Sequence, residues 1–561
     1  MHKFFNKVFK NQTLIILMIL FILIIPTFWR MIKPGIFSMH DFHEFRLLEY
    51  HKCIQDLLIP CRWSPDAALE YGQPLFNFYG QLPFAYGEIF VLLGFSILDS
   101  LKIAFASSFI LAGFAMFFLG RQVWGNNWAG ILSALVYTYA PYRALDVWVR
   151  GALPEAFAFI FFPLIIYFFN DFVLHRKYKS LILFSIAFAG LILTHNLSAL
   201  MFLVFLLFWV VYFLTKEKAW KIIPKFILAG ILIFGLSAFY ILPLLAESKF
   251  ITITQVTSGY YDFRLHFNTL NQMLISRFWG FGGSFWGDKD DLSLSVGHVQ
   301  WILPLVIALF ILIRLNWRKN LSFFILLGIG WFYLFLTHNK SIFLWEAIPP
   351  LQFVQFPWRF LGSGEFAFAL ASGVIMNFFK KDVIKILIIS FVLSILLILN
   401  FNFFFEDLWS RKGDKEYFQG SKYEYLTTSG LKDYYPNYGK GFPEHLAFKD
   451  PIFVEGTGAA KLIEEKSNRI KYFVKAQSNM VIIQVPVVYF PGWVGFVNNK
   501  LISIYPDGDL GLITFKLMPG EVIVDLKFTN TPIRSIGDGI SGLTITTLIG
   551  MGIFRIMKKR K

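Results

Sequence analysis

Apolar runs long enough to cross a bilayer recur along this chain, near residues 13-31, 100-119, 126-141, 153-171, 180-194, 197-215, 224-246, 299-313, 320-337, 360-379, 383-401 and 537-554. A helical crossing needs about 17–25 predominantly apolar residues. With 56% hydrophobic and only 16% charged residues, too little polar surface remains to cover a soluble globule. The pattern predicts a polytopic α-helical membrane protein with about 12 transmembrane helices.

Charge between the runs sets their direction. Basic residues stand at Lys3, Lys7 and Lys10, at Arg121, at Arg176, Lys177 and Lys179, at Lys216, Lys218, Lys221 and Lys225, at Arg314, Arg318 and Lys319, at Lys380, Lys381 and Lys385, and from Lys558 to Lys561. With twelve crossings every cluster falls on the side of the N-terminus, which the positive-inside bias makes the cytoplasm. Both termini are then cytoplasmic in a multi-pass protein of the cell (cytoplasmic) membrane. The formal net charge of +16 serves orientation, so nucleic acid is not an expected partner. Pro26, Trp29 and Arg30 stand where a leader would have small residues, so the first run reads as a retained signal anchor. The apolar stretch 82-98 would invert all later clusters if it crossed. It carries Pro83, Gly87, Glu88 and Gly94 and reads as an interfacial or re-entrant helix.

This topology sends the unusual residues to one face. The expected division is a transmembrane module at 1-401 with outer loops 32-99, 142-155 and 247-298, an extracytoplasmic β-rich domain at 402-536, and a last helix with a basic tail at 537-561. Within the insert, runs such as Met480 to Phe490 and Val522 to Phe528 carry strand formers. Turn residues at Pro491-Gly492, Asn498-Asn499, Pro506-Asp507-Gly508 and Pro519-Gly520 separate them, the pattern of a small β-sandwich. Cys53 and Cys61 both fall in the first outer loop. Either a disulfide bracing that loop or two free thiols fits the spacing.

Three groups of residues carry the chemistry. In the first outer loop His40, Asp41, His43, Glu44 and Arg46 put five ionisable side chains in seven positions. Charge beside hydrocarbon is expensive and concentrates where function needs it. On a helical turn the Asp41 and Glu44 carboxylates would project to one side, able to share a divalent cation or to take a proton from an attacking hydroxyl. The plain alternative is a solvated loop start. No further Cys or His spacing supports zinc, which takes three or four ligands. The second group, Arg143, Asp146, Arg150 and Glu155, lies in an outer loop where orientation does not call for arginine. Guanidinium binds phosphate oxygens bidentately, so the group suits a lipid-phosphate wall, or else it pairs with lipid headgroups. The third is Arg359 in Phe356-Pro-Trp-Arg-Phe360, where Pro357 starts a helix and the arginine either clamps a lipid phosphate or snorkels. The triplets Thr194-His195-Asn196 and Thr337-His338-Asn339 read as helix-end caps, and Arg264 and His298 take no role.

The acidic motif just after the first span, the Arg/acid motif in the next outer loop and the odd interfacial helix resemble the C-type-fold membrane glycosyltransferases, which use polyprenyl-phosphate sugars. More closely, Tyr71 to Tyr79, Arg150 to Glu155, Leu193 to Asn196 and Phe356 to Phe360 are similar to stretches of the 6-pyruvoyl-tetrahydropterin-synthase-related membrane proteins. The Tyr489 to Trp493 turn resembles that of related large membrane proteins. The resemblance implies an inverting transfer of a hexosyl or pentosyl group from a polyprenyl-phosphate-linked donor to a glycan, lipid or protein acceptor. It implies Asp41 as the base, Glu44, Asp146 and Glu155 as orienting or cation-holding groups, and Arg150 and Arg359 on the phosphate. A divalent cation, Mg or Mn, stays open at Asp41 and Glu44. Two rival classes share the pattern: a lipid or polysaccharide transporter or flippase, and a non-catalytic glycan-binding membrane scaffold.

Overall fold

The computed structural model describes residues 2–252, 257–287, 290–314 and 317–560. They form two compact units interleaved along the chain. The first takes Met1–Asp41, Leu98–Gly230 and Thr257–Arg411; the second takes Phe42–Ile97, Ile231–Val256 and Lys412–Lys561. These units are cut along other lines than the division expected from hydropathy. Residues 402–411 belong to the first unit because Glu406 takes ion pairs from Arg30 and Lys33 at 3.2 and 3.1 Å. There the short strand β1 (Ile36–Phe37) also pairs with β2 (Trp409–Ser410).

The first unit is helical, and its helices sit on the apolar runs. Among the described residues of the whole chain, eight helices are long and apolar enough to cross a membrane: Ile97–Trp124, Leu153–His175, Asn196–Lys216, Lys225–Phe250, Trp317–Thr337, Pro357–Asn377, Asp382–Phe403 and Pro532–Lys558. Gln12–Thr27, Tyr178–Thr194 and His298–Arg314 are shorter apolar helices, and run 126-141 forms the twelve-residue helix Asn127–Thr138. Local signals start and stop these elements. The Asn126 side chain accepts from Ala129 N at 2.8 Å as an N-cap. Leu153–His175 opens on Pro154 and ends at left-handed Arg176. Pro357–Asn377 is 89% buried over its most apolar stretch and Asp382–Phe403 only 17%, so the former is an inner helix and the latter peripheral. Gly330 lets the neighbouring helix come close, since a Cβ there would stand 2.4 Å from the Phe368 ring.

The second unit is mixed. Helix Leu82–Leu92 has 11 residues and is about 16 Å long, roughly half a hydrocarbon core. After it come nine strands: β3 (Ile452–Glu455), β4 (Gly458–Lys466), β5 (Arg469–Ala476), β6 (Val481–Val488), β7 (Trp493–Val497), β8 (Lys500–Ile502), β9 (Ile504–Asp507), β10 (Leu512–Leu517) and β11 (Gly520–Phe528). They build two antiparallel sheets ordered β3-β6-β10-β9 and β4-β5-β11-β7-β8. Alternate residues of both sheets, among them Tyr472, Val474, Ile483, Val485, Phe515 and Val524, share one buried cluster, which makes the pair a sandwich. Trp63, Leu69, Tyr71 and Phe78 join that cluster. Cys53 and Cys61 form a disulfide with Cα atoms 5.9 Å apart.

Candidate functional site

Five of the residues singled out by sequence meet in the first unit. The segment after Asn127–Thr138 enters a helical turn at Pro141 and widens into a five-residue π turn, Leu145–Val149, a device common at functional sites. Its exit is closed by Arg150 N bonding to Leu145 O at 2.9 Å and Ala152 N to Asp146 O at 2.8 Å. Gly151 between them has φ +64°, and a Cβ there would stand 2.2 Å from the Met39 side chain. This position therefore takes glycine on two counts.

The turn aims Arg150 inward. Its Nη1 donates to Asp146 Oδ1 at 2.5 Å, to Glu155 Oε2 at 2.8 Å and to the Tyr142 hydroxyl at 3.4 Å. Its guanidinium carbon lies 4.9 Å from the centre of the Trp358 ring. The Tyr142 hydroxyl in turn donates to Glu155 Oε1 at 2.5 Å. Arg359 Nε stands 3.6 Å from Glu155 Oε2, while its Nη1 donates to Val354 O at 2.9 Å and to Gln355 Oε1 at 3.3 Å. Two acids and two arginines thus share one buried knot. Charge-assisted hydrogen bonds of this kind are the strong ones where water is excluded.

Asp41 is tied to the same knot through its backbone. The amides of His40 and Asp41 both donate to Arg150 O, at 3.1 and 3.2 Å, and the Asp41 charge acts on Arg150 and on His195. His40 Nε2 lies 2.9 Å from Phe281 O, anchoring the same stretch. Asp41 is not on a helical turn, because the helix His43–Gln55 begins two residues later. The expectation that Asp41 and Glu44 project together from one turn is corrected by that start. Glu44 belongs to the second unit, where its Oε1 accepts from the Tyr417 hydroxyl at 3.0 Å and lies 4.0 Å from Lys422 Nζ. Burial pushes the Glu44 carboxyl above the usual carboxylate range, against the pull of Lys422 and Tyr417. Among the described residues no group of three or more His, Cys, Asp or Glu stands close enough to hold a metal ion.

Arg143 takes another place than the expected phosphate wall. It is 0% exposed, its Nη2 donates to Ser108 O at 3.2 Å, and the rings of Phe109, Tyr137 and Phe159 surround it at 5.1, 5.3 and 4.6 Å. It braces the turn from behind. Sequence reasoning passed over Glu365, whose Oε1 accepts from Tyr142 N at 3.0 Å and so holds the start of that turn. A carboxylate in the middle of an apolar run was the available signal. It also passed over Tyr142 and Trp358, and in reading Thr194 and Asn196 as caps it left His195 without a role. His195 precedes the helix Asn196–Lys216 without capping it by its side chain, and its Nδ1 meets Ser198 Oγ at 2.7 Å. The charges of Glu155, Arg359, Arg150 and Asp41 all act on it.

The chain matches no known protein-family description. It is similar to a protein of Lactococcus lactis subsp. cremoris (strain MG1363) described as uncharacterized, with 24% identity over 349 residues. The similarity covers 59% of this chain and 54% of that protein, so it spans about half the length of that relative.

Proposed function

We propose that this protein is an integral membrane glycosyltransferase that moves a sugar from a polyprenyl-phosphate donor to an acceptor on the outer face of the membrane. The observation that carries the reading is the Arg150 knot, which gathers Asp146, Glu155, Tyr142 and Arg359 and holds the Asp41 backbone. Twelve crossings, cytoplasmic termini and an extracytoplasmic β-rich domain belong to the same reading and are supported by the basic connectors.

In this reaction the Asp41 carboxylate takes the proton of an acceptor hydroxyl as its oxygen attacks the anomeric carbon. The bond between that carbon and the phosphate oxygen breaks, its electron pair leaves with the polyprenyl phosphate, and the centre inverts. Charge grows on the leaving oxygen, and a guanidinium already held in place stabilises it without reorganisation. Arg359 fills this role, with Glu155 setting its position and Arg150 keeping Glu155 in register. Glu44 is engaged with Tyr417 and Lys422 and takes no part in the step. Asp146 and Glu155 share the Arg150 guanidinium, and no step is routed through a cation.

The test incubates purified full-length protein with labelled polyprenyl-phosphate sugars and follows release of the lipid phosphate. Wild type is expected to release it, and Asp41→Asn to lose activity by about 100-fold or more at an unchanged melting temperature. Full activity in Asp41→Asn, or movement of intact donor across a liposome membrane without cleavage, would sink the assignment.

A further inference from the structure

We propose that an anionic membrane lipid binds between the helices Asn196–Lys216 and Leu321–Thr337, at the end of the pair away from the Arg150 knot's loop, with its headgroup on Lys216, Arg318 and Lys319. A cavity of about 660 Å³ opens there, within the ordinary size of a ligand site. Leu207, Val211, Leu321 and Ile325 form its apolar walls and the three cations stand at its rim.

The groove has fixed walls. Elsewhere along their length the two helices are locked together, since the Tyr333 hydroxyl accepts from Phe205 N at 2.8 Å and donates to Met201 O at 2.9 Å. The rings of Phe208 and Phe332 meet at 5.7 Å, and a hydrogen bond joins the Tyr212 hydroxyl to Ser322 Oγ beside the cavity. Lys216 Nζ is 3.9 Å from Glu217 with both side chains partly exposed, so the rim as a whole stays positive. Exposed Leu207, Val211 and Leu321 line the way in from the helix surface.

An apolar slot closed at one end by cations and hydroxyls matches an acyl chain joined to a phosphate headgroup. Basic pockets between membrane helices bind anionic headgroups in this way, and the attraction grows with each Lys or Arg near the phosphate. Neither a soluble anion nor a neutral lipid uses both halves of the slot.

Native mass spectrometry of the purified full-length protein, titrated with phosphatidylglycerol or phosphatidylcholine, tests the proposal. Phosphatidylglycerol is expected to bind and to raise the melting temperature, while phosphatidylcholine binds at least ~10-fold more weakly. The triple variant Lys216→Gln, Arg318→Gln, Lys319→Gln is expected to lose at least ~10-fold in phosphatidylglycerol affinity. Val211→Trp, which fills the slot and leaves every charge in place, is expected to lose a comparable factor. Removing three cations from another connector, by Arg176→Gln, Lys177→Gln and Lys179→Gln, is expected to leave binding unchanged. Equal losses from the two triple variants, full binding in Val211→Trp, or displacement of the lipid by inorganic phosphate alone would overturn the proposal.

Discussion

Two buried arginines in this chain, Arg150 in the first unit and Arg534 in the second, hold carboxylates in opposite styles. Arg534 Nε donates to Glu247 Oε2 at 2.9 Å, and its two terminal nitrogens donate to Thr529 O at 3.1 Å and Pro491 O at 2.8 Å. Glu247 also accepts from Thr531 at 2.6 Å and Asn77 at 3.2 Å. Every arm of that pair ends on a main-chain carbonyl or a neutral side chain, the arrangement that makes a buried ion pair tolerable. Around Arg150 one guanidinium serves two carboxylates, Asp146 and Glu155, and Asp146 Oδ2, Arg359 Nε and Glu365 Oε2 make no hydrogen bond among the described residues. Burial is common to both. The difference is spare hydrogen-bonding capacity, which a purely structural pair has no reason to keep.

Substitution separates the two styles. The largest effect on stability is expected at Arg534→Met, which leaves Glu247 charged and unpaired, at about 3–5 kcal/mol; a thermal melt of the purified protein reads it. Next comes Arg359→Gln, expected to lower transfer by about 100-fold, roughly 2.7 kcal/mol of barrier; Glu155 keeps its bonds from Arg150 and Tyr142, so the melting curve moves by less than about 1.5 kcal/mol. A stability loss there as large as at Arg534 would erase the distinction. Smallest is Glu365→Gln, whose remaining amide oxygen still accepts from Tyr142 N. It is expected to cost less than about 1 kcal/mol, against about 1–3 kcal/mol for Glu365→Ala, which orphans that N–H. Equal costs for the two variants would show that the hydrogen bond to Tyr142 is not what Glu365 supplies.

Much of the architecture was legible because its signals are local. Apolar runs and basic connectors mark the helices, since both the length of a span and the charge at its end act within one segment. The sandwich announced itself through alternation in β6 and β11 and through turns that need left-handed residues, as at Asn498 and Asn499 with φ of 47° and 65°. What stayed hidden depends on partners far apart in the chain. Glu44 meets Tyr417 across 373 residues and Tyr142 meets Glu365 across 223, and no spacing rule reaches that far. The pairing of β1 with β2 rests on two residues in each strand, too few for a period to register. The second Arg/acid motif was found because its residues lie within thirteen positions of one another, from Arg143 to Glu155.

The interleaving of the two units also sets a timetable for synthesis. The segment Phe42–Ile97 leaves the ribosome early, but the sandwich that covers Trp63, Leu69, Tyr71 and Phe78 belongs to Lys412–Lys561. At about 5–20 residues per second, translation of the intervening stretch takes on the order of 15 to 60 s. During that interval those aromatic and aliphatic side chains lack the strands that bury them. The Cys53–Cys61 bridge spans eight positions, so its closure needs no part of the strands that come later in the chain.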